Sequence, residues 1–490
     1  MRDELRKSGA IGRWLGKDAR RRGTEQQAPA LEPDGGIGSI SAMRALQAVI
    51  GVLALLVIVA TPAWGTIQET SAAPVRLERP AGLAPDIAFW RRIFAEVSND
   101  AGLLHDHTRL DIVYAELTLP KRHTSVERRR IVDAAVSRYT AILNQLASGE
   151  RAGLGADANR VLALWGPNTR PAEFREAAGR LRFQLGQADR FRDGLIRSGR
   201  WADFIERTLA EQGLPPELIA LPHVESGYHP LAGSHVGAMG LWQFMPGTGR
   251  EFMRVDAVAD ERLDPFVATE SAARLMRRNY AMTGTWPTAI TAYNHGAGGM
   301  KRAIADLRTT DIETIVRRYR GRAFGFASRN FYVSFLAAAE VRSEADRYFG
   351  PLKRDPPDAS LVVRLPGYVS IDALARALSV DAQTIARNNP SLRSVVWQGA
   401  RLAPRGHRLY LPPQGDLTAS ALLARLPTSL WSNAQIADLY HVVSRGETLS
   451  AIAPRYGVRV ADLVALNGLR NPNAIRAGQR LTLPVRGASR

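Results

Sequence analysis

Glu225 closes the apolar run Leu221-Pro222-His223-Val224-Glu225-Ser226. A carboxyl group keeps its proton near neutral pH only if its pKa is lifted from the usual ~4.3. Loss of hydration beside apolar groups does this, because the charged form suffers most. Leu221, Val224, Trp242, Phe244 and Met245 are the candidate walls. A second stretch, Gly237-Ala238-Met239-Gly240-Leu241-Trp242-Gln243-Phe244-Met245-Pro246, is an aromatic loop punctuated by glycine, which permits positive φ and close backbone approach. A third, Ala292-Tyr293-Asn294-His295-Gly296-Ala297-Gly298, brings a phenol. A buried acid, such a loop and a tyrosine are what acid-catalysed cleavage of a polysaccharide needs, since the leaving oxygen must receive a proton. Trp242 and Phe244 read equally well as groove or as plain core.

Other chemistries fit less well. His223, Glu225, His229 and His235 lie close together but do not follow the His-Glu-x-x-His spacing of zinc sites. These histidines are expected to line a groove or face solvent, with no metal and no cofactor. The chain has no cysteine, which excludes disulfides, thiol nucleophiles and Cys-based zinc sites.

On these three motifs the chain resembles the family 1 lytic transglycosylases, lysozyme-like enzymes that cut bacterial cell-wall glycan, and within them the membrane-bound type D branch. The resemblance covers about 186–350 strongly. It implies that Glu225 is the acid and then the base. A proton passes to the leaving oxygen, and the muramic acid 6-hydroxyl then closes onto C1, giving a 1,6-anhydro sugar. It implies that Tyr293 hydrogen-bonds the catalytic carboxyl and that Gln243 contacts sugar, with Ser226, Ser234 and Asn294 as further substrate-binding residues. The family's last tyrosine falls on Phe331 in strict alignment, with Tyr332 adjacent, so either residue fills that place; Tyr332 is the one that carries a hydroxyl. Two departures are Trp242, where many relatives outside the type D branch carry methionine, and His295, where a small residue is usual. No second carboxylate carries a motif; Asp256, Asp260 and Asp264 are candidates by proximity in sequence alone. A hydrolytic muramidase, which generally needs a carboxylate pair, is the alternative within the same class. A non-catalytic wall-binding protein is the alternative outside it.

The elements that must position these groups are mostly helices, so the expected fold class is mainly α. Ile87, Trp90, Ile93, Phe94 and Val97 recur at helical spacing, and helical patterns continue through 131–146 and 171–185. Residues 66–200 are therefore expected to be a helical accessory region without strands. Residues 201–350 are expected to be a lysozyme-like domain, with a helix starting at Pro215-Pro216 and another ending before Gly284. Residues 440–485 run strand, helix, helix, strand and resemble the LysM module, a small α+β domain that binds N-acetylglucosamine chains. Residues 361–413 echo it. Leu374, Leu378, Val380, Ile385 and Asn389 stand where Ile452, Tyr456, Val458, Leu463 and Asn467 stand later. This first copy lacks the Gly446-Glu447-Thr448-Leu449 opening and carries an insertion around Trp397.

Residues 45–60 are an apolar run preceded by Arg44 and followed by Ala63-Trp64-Gly65. Residues 43–65 thus read as a secretory signal peptide or a retained membrane anchor. Either implies export to the periplasm or cell envelope, with inner-membrane association through 45–64 in the second case. Residues 1–42 are basic, lack apolar periodicity and read as disordered, with Met43 the expected start. A net charge of +18 favours polyanions. Nucleic acid is not the expected partner, because the chain has no zinc-finger spacing, RNP-like strand or phosphate-cradling loop. Peptidoglycan glycan strands are.

Overall fold

The computed structural model describes residues 77–413, 415–436, 439–469 and 471–483. The lead over 1–42, the apolar segment 43–65 and the membrane association expected of 45–64 lie outside the described residues.

The Ala84–Ala95 helix starts with Pro85 in its first turn and buries Ile87, Trp90, Ile93 and Phe94, the stripe its spacing predicts. It packs along the Phe326–Ser343 helix, where Trp90 Nε1 donates to Asn330 Oδ1 at 3.2 Å. Beyond it the expectation of an all-helical region fails. Strand β1 (Ala101–Asp106) is the centre of an antiparallel sheet, paired with β2 (Val113–Thr118) and with β3 (Leu181–Leu185). The pattern read as helix over 171–185 is a helix only over Pro171–Ala178, and its end is β3. The reason is burial on both faces. Every residue of β1 is buried, so its sequence does not alternate. Leu103 faces the core built on the Ala84–Ala95 helix, and Leu104 faces a second core. That second core lies under the Ser125–Ala147, Ala156–Trp165 and Pro171–Ala178 helices.

The sheet leads into an uninterrupted helical body. Its helices are Ala188–Ser198, Ala202–Glu211, Pro265–Thr283, Trp286–His295, Ala297–Leu307 and Phe326–Ser343. Asp264 caps the first turn of the Pro265–Thr283 helix by accepting from Phe266 N and Val267 N at 3.0 and 3.1 Å. Gly284, left-handed at φ +85°, ends it. The chain is mainly α, as expected from sequence.

Two small modules follow. In the first, β4 (Leu361–Arg364) pairs antiparallel with β5 (Arg408–Leu411) around two helices; in the second, β6 (Leu439–Val442) pairs with β7 (Arg480–Leu483) around two more. The repeat goes down to single atoms. Asn389 accepts from Tyr410 N at 2.8 Å and donates to Tyr410 O at 2.7 Å, and Asn467 does the same with Thr482 N and O at 2.7 and 2.9 Å. In each case a side-chain amide closes the second helix onto the last strand. The insertion around Trp397 is the short Ser394–Trp397 helix. The first module is fastened to the helical body by Arg408, whose two terminal nitrogens pair with both carboxylate oxygens of Glu270 at 2.7 and 2.9 Å.

Asn389 sets a stability test. Asn389→Ala leaves the buried Tyr410 N–H and carbonyl without their partner, which costs about 2–3 kcal/mol. Denaturant unfolding should show that loss, while Gln383→Ala, an exposed change in the helix that Asn389 follows, stays within about 0.5 kcal/mol. A loss under ~1 kcal/mol for Asn389→Ala would mean that the strand closes without the amide.

Candidate active site

Pro216 starts a 3-10 turn over Pro216–Ala220, which runs into the five-residue helix Leu221–Glu225. Leu221, Pro222, His223 and Val224 are buried, and Glu225, the last helical residue, is half-buried. The backbone then reverses through two left-handed residues, Gly227 at φ +62° and Tyr228 at φ +56°. Several bonds hold this turn. Ser226 Oγ donates to Leu241 O at 2.7 Å, and Tyr228 Oη donates to Ile219 O at 2.6 Å. The carbonyls after Glu225 accept from two arginines of the Ala188–Ser198 helix. Arg190 Nη2 reaches Ser226 O at 3.3 Å and Arg197 Nη2 reaches Gly227 O at 2.6 Å. Cations at a helix C-terminus offset the negative end of its dipole.

The glycine-punctuated loop is folded back beside this turn. Met239 N donates to Phe244 O at 3.1 Å and Gly240 N to Ala232 O at 2.8 Å. Arg262 clamps it from below, with Nη1 donating to Gly237 O at 2.7 Å and Phe244 O at 3.0 Å. The remaining face of the guanidinium is held by Asp260, with Nε and Nη2 each 2.8 Å from a carboxylate oxygen. Gly240 is required here: φ is +81°, and a Cβ would stand 1.7 Å from Arg262 O. Gln243 is left-handed too, at φ +49°, an uncommon conformation for a residue with a Cβ. Its Nε2 donates to Gly240 O at 2.8 Å and Ala232 O at 3.1 Å, which leaves Oε1 to accept from a ligand.

Trp242 and Phe244 are core residues, each 2% exposed, and Trp242 Nε1 donates to Thr269 Oγ1 at 2.9 Å. Phe244 still stands edge-on to Tyr293, with ring centroids 6.2 Å apart. Leu231, Val236 and Met245 are exposed and give the surrounding surface an apolar character.

Burial alone pushes the Glu225 carboxyl up from 4.5 to about 8, so the group is mostly protonated at neutral pH. No hydrogen bond or neighbouring charge contributes to that shift. Tyr293 is raised well above its usual value, first by burial and then by the charge of Glu225, which places the phenol within the field of the acid. The resemblance implied that this phenol hydrogen-bonds the carboxyl. Its proton instead goes to Trp242 O at 2.8 Å. A phenol has one proton, so with that proton on Trp242 O the Tyr293 hydroxyl does not donate to Glu225.

The other sequence candidates divide. Ser234 Oγ accepts from Ala238 N at 2.9 Å and closes the turn ahead of the loop, with its own proton free for a ligand. Asn294 is exposed, and its Oδ1 accepts from Ser328 Oγ at 3.1 Å. His295 Nδ1 lies 3.1 Å from the same Ser328 oxygen, so with the serine proton directed to Asn294 the histidine is the donor. Asn294 Nδ2 then remains for a ligand. Ser226 does not face a groove: it is 1% exposed and its hydroxyl proton is committed to Leu241. Tyr332 does not either. It is fully buried, with its hydroxyl donating to Glu78 O, and Phe331 beside it is core. His223 corrects a further expectation, since it stacks on Phe191 at 4.5 Å inside the core, where burial drives its pKa well down and keeps it neutral. The three aspartates are all engaged elsewhere. Asp256 accepts from Val258 N and Ala259 N, Asp260 holds Arg262, and Asp264 caps a helix. Arg190, Arg197 and Arg262 carry no sequence signal, because most of what they hold is backbone carbonyl.

Residues 203–316, which contain Glu225, the loop and Tyr293, match the Transglycosylase SLT domain family, and residues 441–484 match the LysM domain family. The chain carries an SLT domain and a C-terminal LysM domain. It is homologous to the membrane-bound lytic murein transglycosylase D of Escherichia coli strain K12, with 26% identity over 308 residues, 59% of this chain and 65% of that protein. It thus spans just under two thirds of that relative's length. A transglycosylase of the Enterobacteria phage PRD1 is 35% identical over 98 residues, 20% of this chain and 35% of the phage protein. Among solved structures, the 70 kDa soluble lytic transglycosylase of Escherichia coli aligns over 51% of this chain and 34% of its own, at 17% identity and a TM-score of 0.26. The stretch that matches the SLT domain takes in much of the helical body and the short Leu221–Glu225 helix.

Proposed function

We propose that this chain is a peptidoglycan lytic transglycosylase that cleaves the β-1,4 bond between N-acetylmuramic acid and N-acetylglucosamine and leaves 1,6-anhydromuramic acid ends. The observation that carries the reading is Glu225, a carboxyl raised to about 8 by burial and with no ionised neighbour contributing to the shift. Such a group holds a proton for the leaving oxygen at neutral pH. Once ionised it is a strong base for a carboxylate, suited to taking the proton of the 6-hydroxyl as that oxygen closes onto C1. Gln243 Oε1, the Ser234 hydroxyl and Asn294 Nδ2 are the groups proposed to orient the sugar. The SLT and LysM domains and the homology to a lytic murein transglycosylase support the same reading.

Hydrolysis is the second reading. It calls for a carboxylate to activate water, and Asp256, Asp260 and Asp264 are all engaged in holding backbone or arginine. Mass analysis of the products from purified sacculi decides between the two. Anhydro ends are expected; free reducing muramic acid ends would overturn the proposal. We also propose that the protein acts in the cell envelope, exported by residues 43–65, as the names of its membrane-bound relatives suggest.

The C-terminal LysM domain is proposed to anchor the enzyme on glycan. In that module Glu447 accepts from Ser444 N at 2.7 Å and lies 2.7 Å from His441 Nε2, which shapes the loop before the Leu449–Arg455 helix. A tethered binding module raises the wall concentration seen by the SLT domain. Deleting residues 440–490 should cut co-sedimentation with sacculi severalfold and leave turnover of short soluble glycans nearly unchanged. Undiminished co-sedimentation would rule out the anchor.

A further inference from the structure

The two small modules differ at one loop. In the second, Glu447 holds the loop after the first strand by accepting from Ser444 N at 2.7 Å. In the register that sets Leu374 on Ile452, Val369 stands in that place and has no carboxylate to offer. The loop of the first module closes in another way. Val369 N donates to Ala403 O at 3.1 Å, and Ala403 N donates to Val369 O at 2.7 Å. The chain beyond the module adds a further rung, since Tyr368 and Ser432 exchange both backbone bonds at 2.9 and 2.8 Å. Gln435 completes the cover, with Oε1 accepting from Leu402 N at 2.8 Å and Nε2 donating to Leu402 O at 2.9 Å. The backbone groups that this loop could offer to a glycan are thus taken by the chain itself. Gly446, which stands where Tyr368 stands, is exposed in the second module and makes no such pair among the described residues.

The first module is also built into the stretch that carries Arg262. Ala259 is fully buried in the core of that module and forms an antiparallel bridge with Leu392. Asp260 N donates to Ser391 O at 2.7 Å, and Arg393 N donates to Val258 O at 2.9 Å. Arg393 adds two side-chain bonds, from Nε to Asp256 O at 2.7 Å and from Nη2 to Asp260 Oδ2 at 3.0 Å. The same Oδ2 accepts from Arg262 Nη2 at 2.8 Å, and Arg262 Nη1 holds the carbonyls of Gly237 and Phe244. A buried carboxylate paired on two sides has little freedom, so Arg393 fixes Asp260 and Asp260 fixes the fork of Arg262. We infer that the first module is a brace for the glycine-punctuated loop and not a second glycan binder, with Arg393 a positioning residue that acts on the loop through Asp260 and Arg262. The inference rests on the proposed active site.

Full-length Arg393→Leu and Arg393→Lys test it, with Gln383→Ala as an exposed control in the same module. Well below the melting transition of each variant, Arg393→Leu should lower kcat/KM on short soluble glycans about 3- to 10-fold. Arg393→Lys should recover part of that loss. Co-sedimentation with sacculi should stay at the wild-type level, because a brace binds no glycan. In an Asp260→Asn background the loss from Arg393→Leu should shrink to under about 2-fold, since the route to the loop is already cut. Amide exchange at Met239 and Gly240, whose N–H groups hold the loop together, should quicken severalfold in Arg393→Leu. Equal losses in both backgrounds would place the effect elsewhere. Unchanged turnover and exchange would leave the module a mount alone, and reduced co-sedimentation would make it a binder. Each of these results overturns the inference. Absence of any turnover by the wild-type protein would instead sink the proposed function, and the exchange measurement would still decide the brace.

Discussion

Glu225→Gln should lower the rate of glycan cleavage by on the order of 10^2–10^4-fold, the range that a positioned general acid supplies. The amide keeps the shape of the side chain and removes the proton, so binding to sacculi should persist. The same substitution should make the protein more stable above mildly acidic pH, and the sign follows from the direction of the shift. The carboxyl titrates near 4.5 when unfolded and near 8 when folded. The folded state therefore holds the proton more tightly, and the stability this lends is complete below pH 4.5 and is lost as pH rises towards 8. Glutamine does not titrate. The stability of Glu225→Gln relative to wild type should thus climb by up to about 1.4 kcal/mol per pH unit across that window and level off above it. Partial access of Glu225 to solvent narrows that window and leaves the sign unchanged. Activity of the wild type should fall above pH 8, where the donor form disappears. Thermal unfolding of the pair at pH 4, 6 and 8 reads the first effect, and a pH–rate profile the second. A stability difference that did not change with pH would show that burial does not hold the proton on Glu225.

How far the sequence reveals these features depends on where each residue's partners are. Glu225 is legible because three motifs of fixed residue type surround it. The two modules are legible because Asn389 and Asn467 keep the same place after a helix, and the extra helix in the first copy sits where the pattern slips. The central strand Ala101–Asp106 is not legible, because each of its faces meets a different core and no alternation survives. Ser226 and Tyr332 were placed at the groove by motif and turn inward in the fold. Sequence gives their neighbours along the chain, whereas the direction of a hydroxyl is set by a distant carbonyl, Leu241 for one and Glu78 for the other. The phenol of Tyr293 is a milder case of the same kind. Its position beside the acid is legible, but the destination of its proton is decided by the loop carbonyl of Trp242.

Arg262 shows the largest effect expected away from the acid. It is 5% exposed, it is paired through two bonds with Asp260, itself 2% exposed, and it holds two carbonyls of the loop. Arg262→Met should destabilise the protein by about 3–5 kcal/mol, because the Asp260 charge is left buried with only Arg393 at 3.0 Å to answer it. Arg262→Lys should recover part of that loss and not all, since an ammonium group cannot fork onto both carboxylate oxygens and still reach both carbonyls. The double variant Asp260→Asn/Arg262→Met separates the charge from the clamp. It removes the stranded anion, so it should be more stable than Arg262→Met alone. Its loop carbonyls, Gly237 and Phe244, still lack their donor, so its kcat should remain low even where its stability is restored. Denaturant unfolding of the three variants together with turnover of soluble glycan measures both. If Arg262→Met cost under ~1 kcal/mol, the pair would not be buried in the folded protein. If the double variant regained full kcat, the loop would hold its shape without the clamp, and the left-handed Gly240 and Gln243 would be sufficient to set its fold.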